Sequence, residues 1–512
     1  MKLKELLKSL EILDSKNLKE DLEISTVEYH TDKVKKDSLF VAIKGYKTDG
    51  HKYIKKALEK GAVAIVVEDF QDIEAPQIKV KNSRIALAKI ASNFYGDPSK
   101  ELNIVGVTAT NGKTTTAFMI ESIFKEAKFK TGISGTVYTK YADTIIPSIL
   151  TTPESKDLQF YFRDMVEKGI EKVVMEVSSS ADELHRVDNV DFDIVTFNNL
   201  SREHIDQHGS FERYYEVKSR LIRFAPEHAI AILNMDFDLI GVLKEKTRAK
   251  VLTYSLKEEN YEYDFSIGNL DLSSGMGKFT FYVNRDIKLK DFTIKKQKFE
   301  IDLNVAGYSS VMNAVVAIIV GLINRIDIKI IIKGLENFKG VERRFEMIYD
   351  EKFKIIDDHF ANVRNIDVSL ETLSKMKYKN LHFLYAIRGN RGVHLNEENA
   401  EKIVEWFKIL KPKNFYASLS KETVTWKDEV SKEELEVFEK VMKKNNINFK
   451  LFENLEESVI SILKCAKEDD LVFLGGCQGM DKGAKYALNY IIDSGLTKKA
   501  DELKEKINSR IC

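Results

Sequence analysis

The sequence predicts an α/β protein of about three domains, built on mainly parallel sheets. Two observations carry this. Beta-rich apolar runs alternate with helical patterns over most of the chain, as strand–helix–strand units require. The chain has 512 residues, and at roughly 150 residues per domain that length supplies about three cores. A composition of 43% hydrophobic and 31% charged residues belongs to a soluble globular chain.

The elements follow in order. The opening MKLKELLKSLEIL alternates charge with leucine and lacks both an unbroken apolar stretch and a small-residue cleavage site, so an amphipathic helix and no export signal is expected. DSLFVAIKG, HKYIKKALEKG and AVAIVVED read as strand, helix and strand, with Gly61 near the helix end. A second series starts at LNIVGVT and includes EKVVMEVSS and DFDIVTFNN. A third opens near FKIIDDH and continues through LHFLYAI, NFYAS and DLVFLGG. The lysine-rich KKADELKEKINSR near the C-terminus reads as a solvated helix face. No Pro/Ser-rich linker, repeat or low-complexity tract separates these blocks, and the joins are placed near residues 100 and 341.

Lys+Arg and Asp+Glu both total 80, so the net charge is zero, which argues against bulk attraction to nucleic acid or anionic lipid. The longest apolar run, AVVAIIVGLI at 314–323, is too short for membrane insertion. Cys465, Cys477 and Cys512 are too few and too dispersed for a disulfide framework or a thiolate metal site. The expected compartment is cytoplasmic. Charged residues weighted to Lys and Glu hint at a heat-adapted source.

The strongest local signal is GVTATNGKTTTAF, a strand running through a turn into a helix. Backbone N–H groups and the helix N-terminus there face an anion, and Lys113 supplies positive charge to terminal phosphates. Thr114 stands where it would coordinate Mg²⁺, and Thr115 adds a further hydroxyl. The general pattern wants glycine five residues before Gly112, where this chain has Val107. The fit is instead to a variant form, A-T-N-G-K-T-T, which includes Thr110 and Asn111. Downstream, TTPES at 151–155 offers hydroxyls and a carboxylate. EVSSSADELHR supplies Glu176 at a strand end, then Ser178, Ser179 and Arg186. NNLSREHIDQHG supplies His204, Asp206 and His208. Parallel sheets bind ligands beyond their carboxyl strand ends, so these loops are expected to converge on the phosphate loop. A carboxylate and an imidazole near phosphates suit a divalent metal.

Together with YYEVKSRLIRF, these segments resemble the Mur ligases, and within them the MurE type, UDP-N-acetylmuramoyl-dipeptide:amino-acid ligases. The resemblance runs through the whole chain and is densest over 106–224. It implies a three-domain architecture: an N-terminal UDP-binding domain (1–100), a central P-loop ATPase domain (101–340) and a C-terminal Rossmann-like amino-acid-binding domain (341–512). By that resemblance Lys113 holds the β/γ-phosphates of ATP, Thr114 and Glu176 bind one Mg²⁺, and His204 and Lys218 serve a second, Lys218 as a carbamate. Thr151, Thr152, Ser178 and Arg186 would contact the UDP-linked peptide, while Asn313, Arg344 and Asp358 would lie near the nucleotide. The implied chemistry is amide formation: a carboxylate attacks the γ-phosphate, and a free amino acid then displaces phosphate from the acyl phosphate.

Several positions depart from the family. The usual D-S-R before K-V reads His30-Thr31-Asp32, the histidine after V-S-S is Ser180, and D-Y-A-H reads Asp358-His359-Phe360-Ala361. The segment AIRGNRG, from Arg388 to Gly392 in its last five residues, echoes a glycine- and arginine-rich loop. The D-N-P-R motif that recognises diaminopimelate is absent. Its place reads Ala417-Ser418-Leu419-Ser420-Lys421, and G-K-G-H-E is replaced by Gly476-Cys477-Gln478-Gly479-Met480-Asp481. One lysine does not reproduce an arginine's bidentate grip on a carboxylate, so altered amino-acid specificity is expected. The same departures fit the Mur-like ligases of pseudomurein-walled methanogens, whose UDP-linked peptide carries no muramic acid. The alternatives are a folylpolyglutamate synthetase-like ligase, which the N-terminal segment 34–61 disfavours, and a nucleotide-binding scaffold without catalysis. The joint presence of Lys113, Glu176, His204 and Lys218 speaks against the scaffold.

Overall fold

The computed structural model describes residues 1–45, 48–201 and 209–510. His204, Asp206 and His208 lie outside the described residues. The chain forms two compact units, Met1–Ser255 with Val316–Gly334, and Leu256–Val315 with Leu335–Cys512.

In the first unit, an N-terminal sheet orders β1 (Asp14–Lys16), β5 (Gln77–Lys79), β4 (Ala62–Val67), β3 (Ser38–Val41) and β2 (Thr26–Glu28). Only the β1–β5 pair is antiparallel. The expected strand, helix and strand over 37–69 are present, the helix Ile54–Glu59 being preceded by a 3₁₀ turn, Gly50–Tyr53. The opening amphipathic helix is corrected: it lasts one turn, Leu3–Leu6. The backbone reaches a left-handed φ of 60° at Ser9, and Leu3 N donates to Leu22 O at 2.8 Å, so the chain folds back once Leu3 and Leu6 are buried.

The second sheet of this unit carries the phosphate loop. Its order is β13 (Lys250–Glu258), β12 (Ile230–Asn234), β11 (Ile194–Phe197), β6 (Asn103–Thr108), β10 (Lys172–Glu176), β7 (Thr131–Ser134), β8 (Tyr138–Tyr141) and β9 (Thr144–Pro147). Pairing is parallel from β13 to β7, and β8 and β9 add an antiparallel edge. Central parallel strands are covered on both faces, and NIVGVT, KVVME and IVTF accordingly read as nearly unbroken apolar runs. Because β6 lies between β10 and β11, the loops leaving all three strands open at one edge of the sheet.

The second unit contains an antiparallel run, β14 (Phe265–Asp271), β15 (Met276–Val283) and β18 (Gln297–Ala306), and a two-stranded ribbon, β16 (Ile287–Lys288) with β17 (Thr293–Ile294). Its main sheet orders β19 (Glu346–Asp350), β20 (Lys354–His359), β24 (Leu471–Gly476), β21 (Leu381–Ala386), β22 (Asn414–Ser418) and β23 (Lys450–Phe452). All neighbours are parallel except β19 with β20. This is the Rossmann-like sheet expected for the C-terminal block. Among the described residues no helix is long and apolar enough to cross a membrane. The 314–323 run belongs to the helix Tyr308–Ile323, where residues 314–320 are fully buried.

The C-terminal stretch is more than a solvated face. Leu503 of the helix Ala500–Ser509 is buried, and the Arg510 side chain is 4% exposed. Arg510 Nη1 donates to both Glu346 carboxylate oxygens (3.1 and 3.0 Å), and Nη2 donates to fully buried Asp357 (3.0 Å). Removing one partner of a buried pair strands the other charge. Arg510→Ala is expected to destabilise the second unit by about 3–5 kcal/mol. Lys504→Ala, whose ammonium pairs with exposed Asp501 at 3.6 Å, should change stability by about 0.5 kcal/mol or less. Denaturant unfolding of the two variants checks both values.

Candidate active site

β6 ends at Thr108, and the helix Lys113–Glu126 begins four residues after Ala109. The turn between them closes through Gly112, whose φ of +85° is left-handed backbone that a side chain would strain. Thr116 N donates to Gly112 O at 2.9 Å, which starts the helix. Lys113 Nζ donates to the carbonyls of Ala109 (2.8 Å) and Thr110 (3.0 Å), so its ammonium sits inside the loop. Thr114 and Thr115 are buried in the first helical turn.

The loop is braced from β11. Thr110 N donates to Asn199 O (3.0 Å), Asn111 N donates to Asn199 Oδ1 (2.9 Å), and Asn199 Nδ2 donates to Asn111 O (2.8 Å). Thr110 Oγ1 accepts from Ser201 N (3.0 Å) and lies 3.2 Å from the Tyr214 hydroxyl. Lys218, 1% exposed, reaches the other side of the loop. Its Nζ donates to Ala109 O (2.8 Å) and Thr108 Oγ1 (3.3 Å) and lies 5.4 Å from the Tyr214 ring centre.

Glu176, at the end of β10 and 1% exposed, is the hub. Its Oε2 accepts from Thr114 Oγ1 (2.9 Å) and Thr136 Oγ1 (3.1 Å), and its Oε1 accepts from Thr136 N (2.8 Å). Thr136 Oγ1 lies 3.2 Å from Thr151 Oγ1, which links the TTPES loop to the same carboxylate. Thr152, fully buried, donates from Oγ1 to Glu176 O (2.8 Å) and accepts from Ser178 N (3.1 Å). Ser178 caps the short helix Ser179–Glu183.

Arg186 is buried and engaged within the protein. Nε donates to Glu154 Oε1 (2.9 Å) and Nη1 to Thr152 O (3.3 Å). Glu154 also accepts from Arg84 Nη1 (3.2 Å), so one carboxylate of TTPES ties Arg186 to the N-terminal sheet's helix Ser83–Tyr95. Beside this bridge lies a cleft of about 320 Å³, lined by Lys44, Asn82, Arg84, Glu183 and His185 among others.

The structure therefore gathers Thr110, Asn111, Gly112, Lys113, Thr114, Thr115, Thr151, Thr152, Glu176, Ser178, Arg186 and Lys218 in the first unit. Asn313, Arg344 and Asp358 belong to the second unit. Asn313 is buried on the helix Tyr308–Ile323. Arg344 is exposed. Asp358 is buried and turned inward: it accepts from Phe345 N (2.8 Å) and from the Ser369 hydroxyl. Burial raises its carboxyl above the usual range despite these donors. In the segment that replaces D-N-P-R, Ser418 and Ser420 are fully buried with hydroxyls 3.1 Å apart, and Lys421 pairs with Glu453 (3.1 Å).

Sequence reasoning missed Thr136 and Asn199. Thr136 follows a plain S-G-T turn, and Asn199 stands within a segment read for its histidines; each matters through a bond to residues far away in sequence. Among the described residues no group of three or more His, Cys, Asp or Glu gathers to hold a metal. The Thr114 and Glu176 oxygens still fit Mg²⁺, a hard cation that takes one or two carboxylates and completes its shell with phosphate and water.

Gly135 lets Glu176 approach this closely, since a Cβ there would collide with the Glu176 carboxylate. Gly135→Ala is expected to leave the melting temperature nearly unchanged while weakening magnesium-dependent nucleotide binding about 10- to 100-fold, the effect of disturbing a ligand's supporting contacts. Titration calorimetry with and without the metal measures it.

Comparison with known proteins agrees with this geometry. Residues 107–321 match the Mur ligase middle domain, and residues 23–95 match the Mur ligase family, catalytic domain. The UDP-N-acetylmuramoyl-L-alanyl-D-glutamate--2,6-diaminopimelate ligase of Clostridium tetani is 37% identical over 401 residues, 76% of this chain and 79% of that protein. The ligase of the same name from Caldanaerobacter subterraneus is 35% identical over 464 residues, 89% of this chain and 90% of that protein. A solved structure of a UDP-N-acetylmuramoyl-L-alanyl-D-glutamate--2,6-diaminopimelate ligase superposes with a TM-score of 0.70 at 20% identity, over 97% of this chain and 100% of that one. A phosphate loop braced by Asn199, a strand-end carboxylate held on Thr114, and matches of this extent across both units have one source: the chain belongs to the Mur ligase family, and within it to the MurE type.

Proposed function

We propose that this chain joins a free amino acid to the carboxylate of a UDP-linked cell-wall peptide precursor, using ATP and passing through an acyl phosphate. The observation that carries the reading is the Glu176 hub, which binds the phosphate loop through Thr114 and the TTPES loop through Thr136 and Thr151. One residue thus holds both the nucleotide-facing and the acid-facing edges of the pocket. Residues 1–100 are assigned to the UDP group, 101–340 to ATP and 341–512 to the amino acid, in the cytoplasm.

The chemical difficulty is charge, because a carboxylate must approach a triphosphate. Lys113, already inside the loop, moves its ammonium from the Ala109 and Thr110 carbonyls to the β/γ-phosphates. Mg²⁺ held by Thr114 and Glu176, with His204 and a carbamylated Lys218 at a second position, would neutralise phosphate oxygens. Lys218 is assigned to this on the resemblance; it is buried beside the loop, where its Nζ donates to Ala109 O at 2.8 Å. On the acid side, Thr151 and Ser178 offer the more accessible hydroxyls, while Thr152 and Arg186 set the loop's shape and Glu154 balances the two arginines beside the cleft. Asn313, Arg344 and Asp358 are assigned to the nucleotide on the resemblance, and within the second unit Asp358 accepts from Phe345 N, which fixes the turn that carries Arg344. The substrate carboxylate displaces ADP from the γ-phosphoryl group; the amine then attacks the acyl carbon, phosphate leaves, and the nitrogen loses a proton.

The relatives named above carry muramoyl-dipeptide acceptors and diaminopimelate in their names. The muramoyl acceptor is the one we adopt, and a pseudomurein-type acceptor draws no support from those relatives. For the added amino acid we infer a departure, because the segment at 417–421 brings no arginine and its one lysine is paired. The match over residues 23–95 favours this reading over a folylpolyglutamate synthetase-like one.

Lys113→Ala is expected to reduce acid-stimulated phosphate release by about 10²-fold or more, the scale on which losing one preorganised group acts; an unchanged rate would refute the site. An amino-acid panel with ATP and UDP-peptides, with and without muramic acid, should give product with an amine other than diaminopimelate. Mass spectrometry of the nucleotide product reads this directly, and efficient turnover of diaminopimelate alone would refute altered specificity. Intact mass at high bicarbonate tests whether Lys218 carries one added CO₂.

A further inference from the structure

A second cavity, of about 400 Å³, lies in the first unit. It stands apart from the cleft beside the Glu154 bridge, because consecutive residues turn to opposite sides. Arg84 and Glu183 line that cleft, while their neighbours Ile85 and Asp182 line this cavity. None of the residues assigned individually above to ATP, Mg²⁺ or the UDP-linked peptide forms part of its wall. The volume is that of a small-molecule site.

The wall is mostly apolar and already formed. Val187, Val190, Phe192 and Leu221 line it and are buried. Ile85, on the helix Ser83–Tyr95, and Phe224, just past the helix Arg220–Arg223, line it while 42% and 68% exposed. The Arg220 and Arg223 guanidiniums lie 5.2 and 5.5 Å from the Phe224 ring centre, which holds the ring in place. The loop behind is braced by its own backbone: Arg186 N donates to Ala181 O (2.9 Å), and Val190 N donates to Val187 O (3.1 Å).

Asp182, 3% exposed, is the exception in this wall. Its Oδ2 is closed off from water, and neither carboxyl oxygen accepts a hydrogen bond from the described residues. The other acid of the wall, Asp188, is matched by His185 (2.8 Å) and Arg220 (4.0 Å). Burial, ahead of the opposing pull of Lys218, Arg220 and Arg223, holds the Asp182 carboxyl well above the usual carboxylate range. A buried carboxyl without a donor is costly. In either protonation state it keeps an oxygen that accepts from an N–H. The cations around it disfavour an ammonium ligand, and the apolar wall disfavours an anion. A neutral ring with an N–H satisfies both.

We propose that this cavity is an effector site for a neutral, planar ring compound with one N–H donor, which bonds to Asp182 and shifts the affinity for the UDP-linked peptide. The coupling has a short path. Asp182 belongs to the helix Ser179–Glu183, whose cap Ser178 accepts from Ala181 N (3.2 Å) and donates from its own N–H to Thr152 of the TTPES loop (3.1 Å). This second half of the proposal rests on the ligase reading above.

The test is titration calorimetry of the full chain with indole and with benzofuran, rings of the same shape of which only indole has an N–H. Wild type should bind indole about 10- to 100-fold more tightly, the scale of a hydrogen bond to a carboxyl group. Equal affinities overturn the proposal without recourse to any variant. Phe224→Ala, at an exposed position, should weaken both rings about 3- to 10-fold and keep the preference, whereas Asp182→Leu should abolish the preference. Variants that keep the wild-type affinities and preference overturn the assignment to this cavity.

With rising UDP-peptide, the indole affinity should shift by about fivefold or more and then level off, as reciprocal coupling between two sites requires. A loss that grows without limit means competition for one cleft and overturns the separate site, and an unchanged affinity overturns the coupling. A chain that binds no UDP-peptide overturns the ligase reading, while the comparison of indole with benzofuran still decides the cavity.

Discussion

One buried carboxylate organises the catalytic half of this molecule. Glu176 stands at the end of a strand placed between the phosphate-loop strand β6 and β7, and it accepts hydrogen bonds from a helix hydroxyl on one side and from both the backbone and side chain of Thr136 on the other. A carboxylate removed from water must be satisfied by donors or by cations. Here the donors come from separate segments, so meeting that demand also sets the distance between the phosphate loop and the loop that follows β9. The sheet order is what makes the arrangement available, because only strands adjacent to β10 can deliver Thr114 and Thr136 to opposite sides of one side chain.

The same logic recurs where arginine meets acid. Glu154 draws Arg186 and Arg84 to one point and so joins the central sheet to the N-terminal one within the first unit. In the second unit Asp357 lies between Arg343 and Arg510, which fastens the last described residue to the base of the main sheet. Glu154 hydrogen-bonds both of its guanidiniums, while Asp357 accepts from Arg510 and lies 3.5 Å from Arg343 Nε as an ion pair. Such pairs add little net stability beyond the charges they compensate, but they specify which segments meet.

Much of this was legible in the sequence where the information is local. A-T-N-G-K-T-T and E-V-S-S-S declare themselves because every residue of each motif lies within one turn, and the parallel strands announce themselves as apolar runs. Thr136 and Asn199 were invisible because each acts through bonds to segments far away in sequence. Arg510 was read as solvated because one arginine among lysines carries no periodic signal; its burial depends on Asp357, some 150 residues earlier. The opening leucines promised a longer helix than forms, since amphipathic spacing does not report that the chain must turn at Ser9 to bring Leu22 alongside. The missing arginine motif was legible as an absence, but the pairing of Lys421 with Glu453 was not, because an ion pair between segments 32 residues apart is a tertiary fact.

The carboxylate of Glu434, seated against the backbone that begins the helix Val393–Leu410, has a consequence for traffic through the molecule. A protein that handles one nucleotide as fuel and another as a handle on its cargo risks either one settling in the wrong berth. By lodging its own carboxylate at that helix end, where the N–H groups of Asn390, Arg391 and Gly392 converge on it, the second unit fills with a fixed charge a place that would otherwise attract a phosphate.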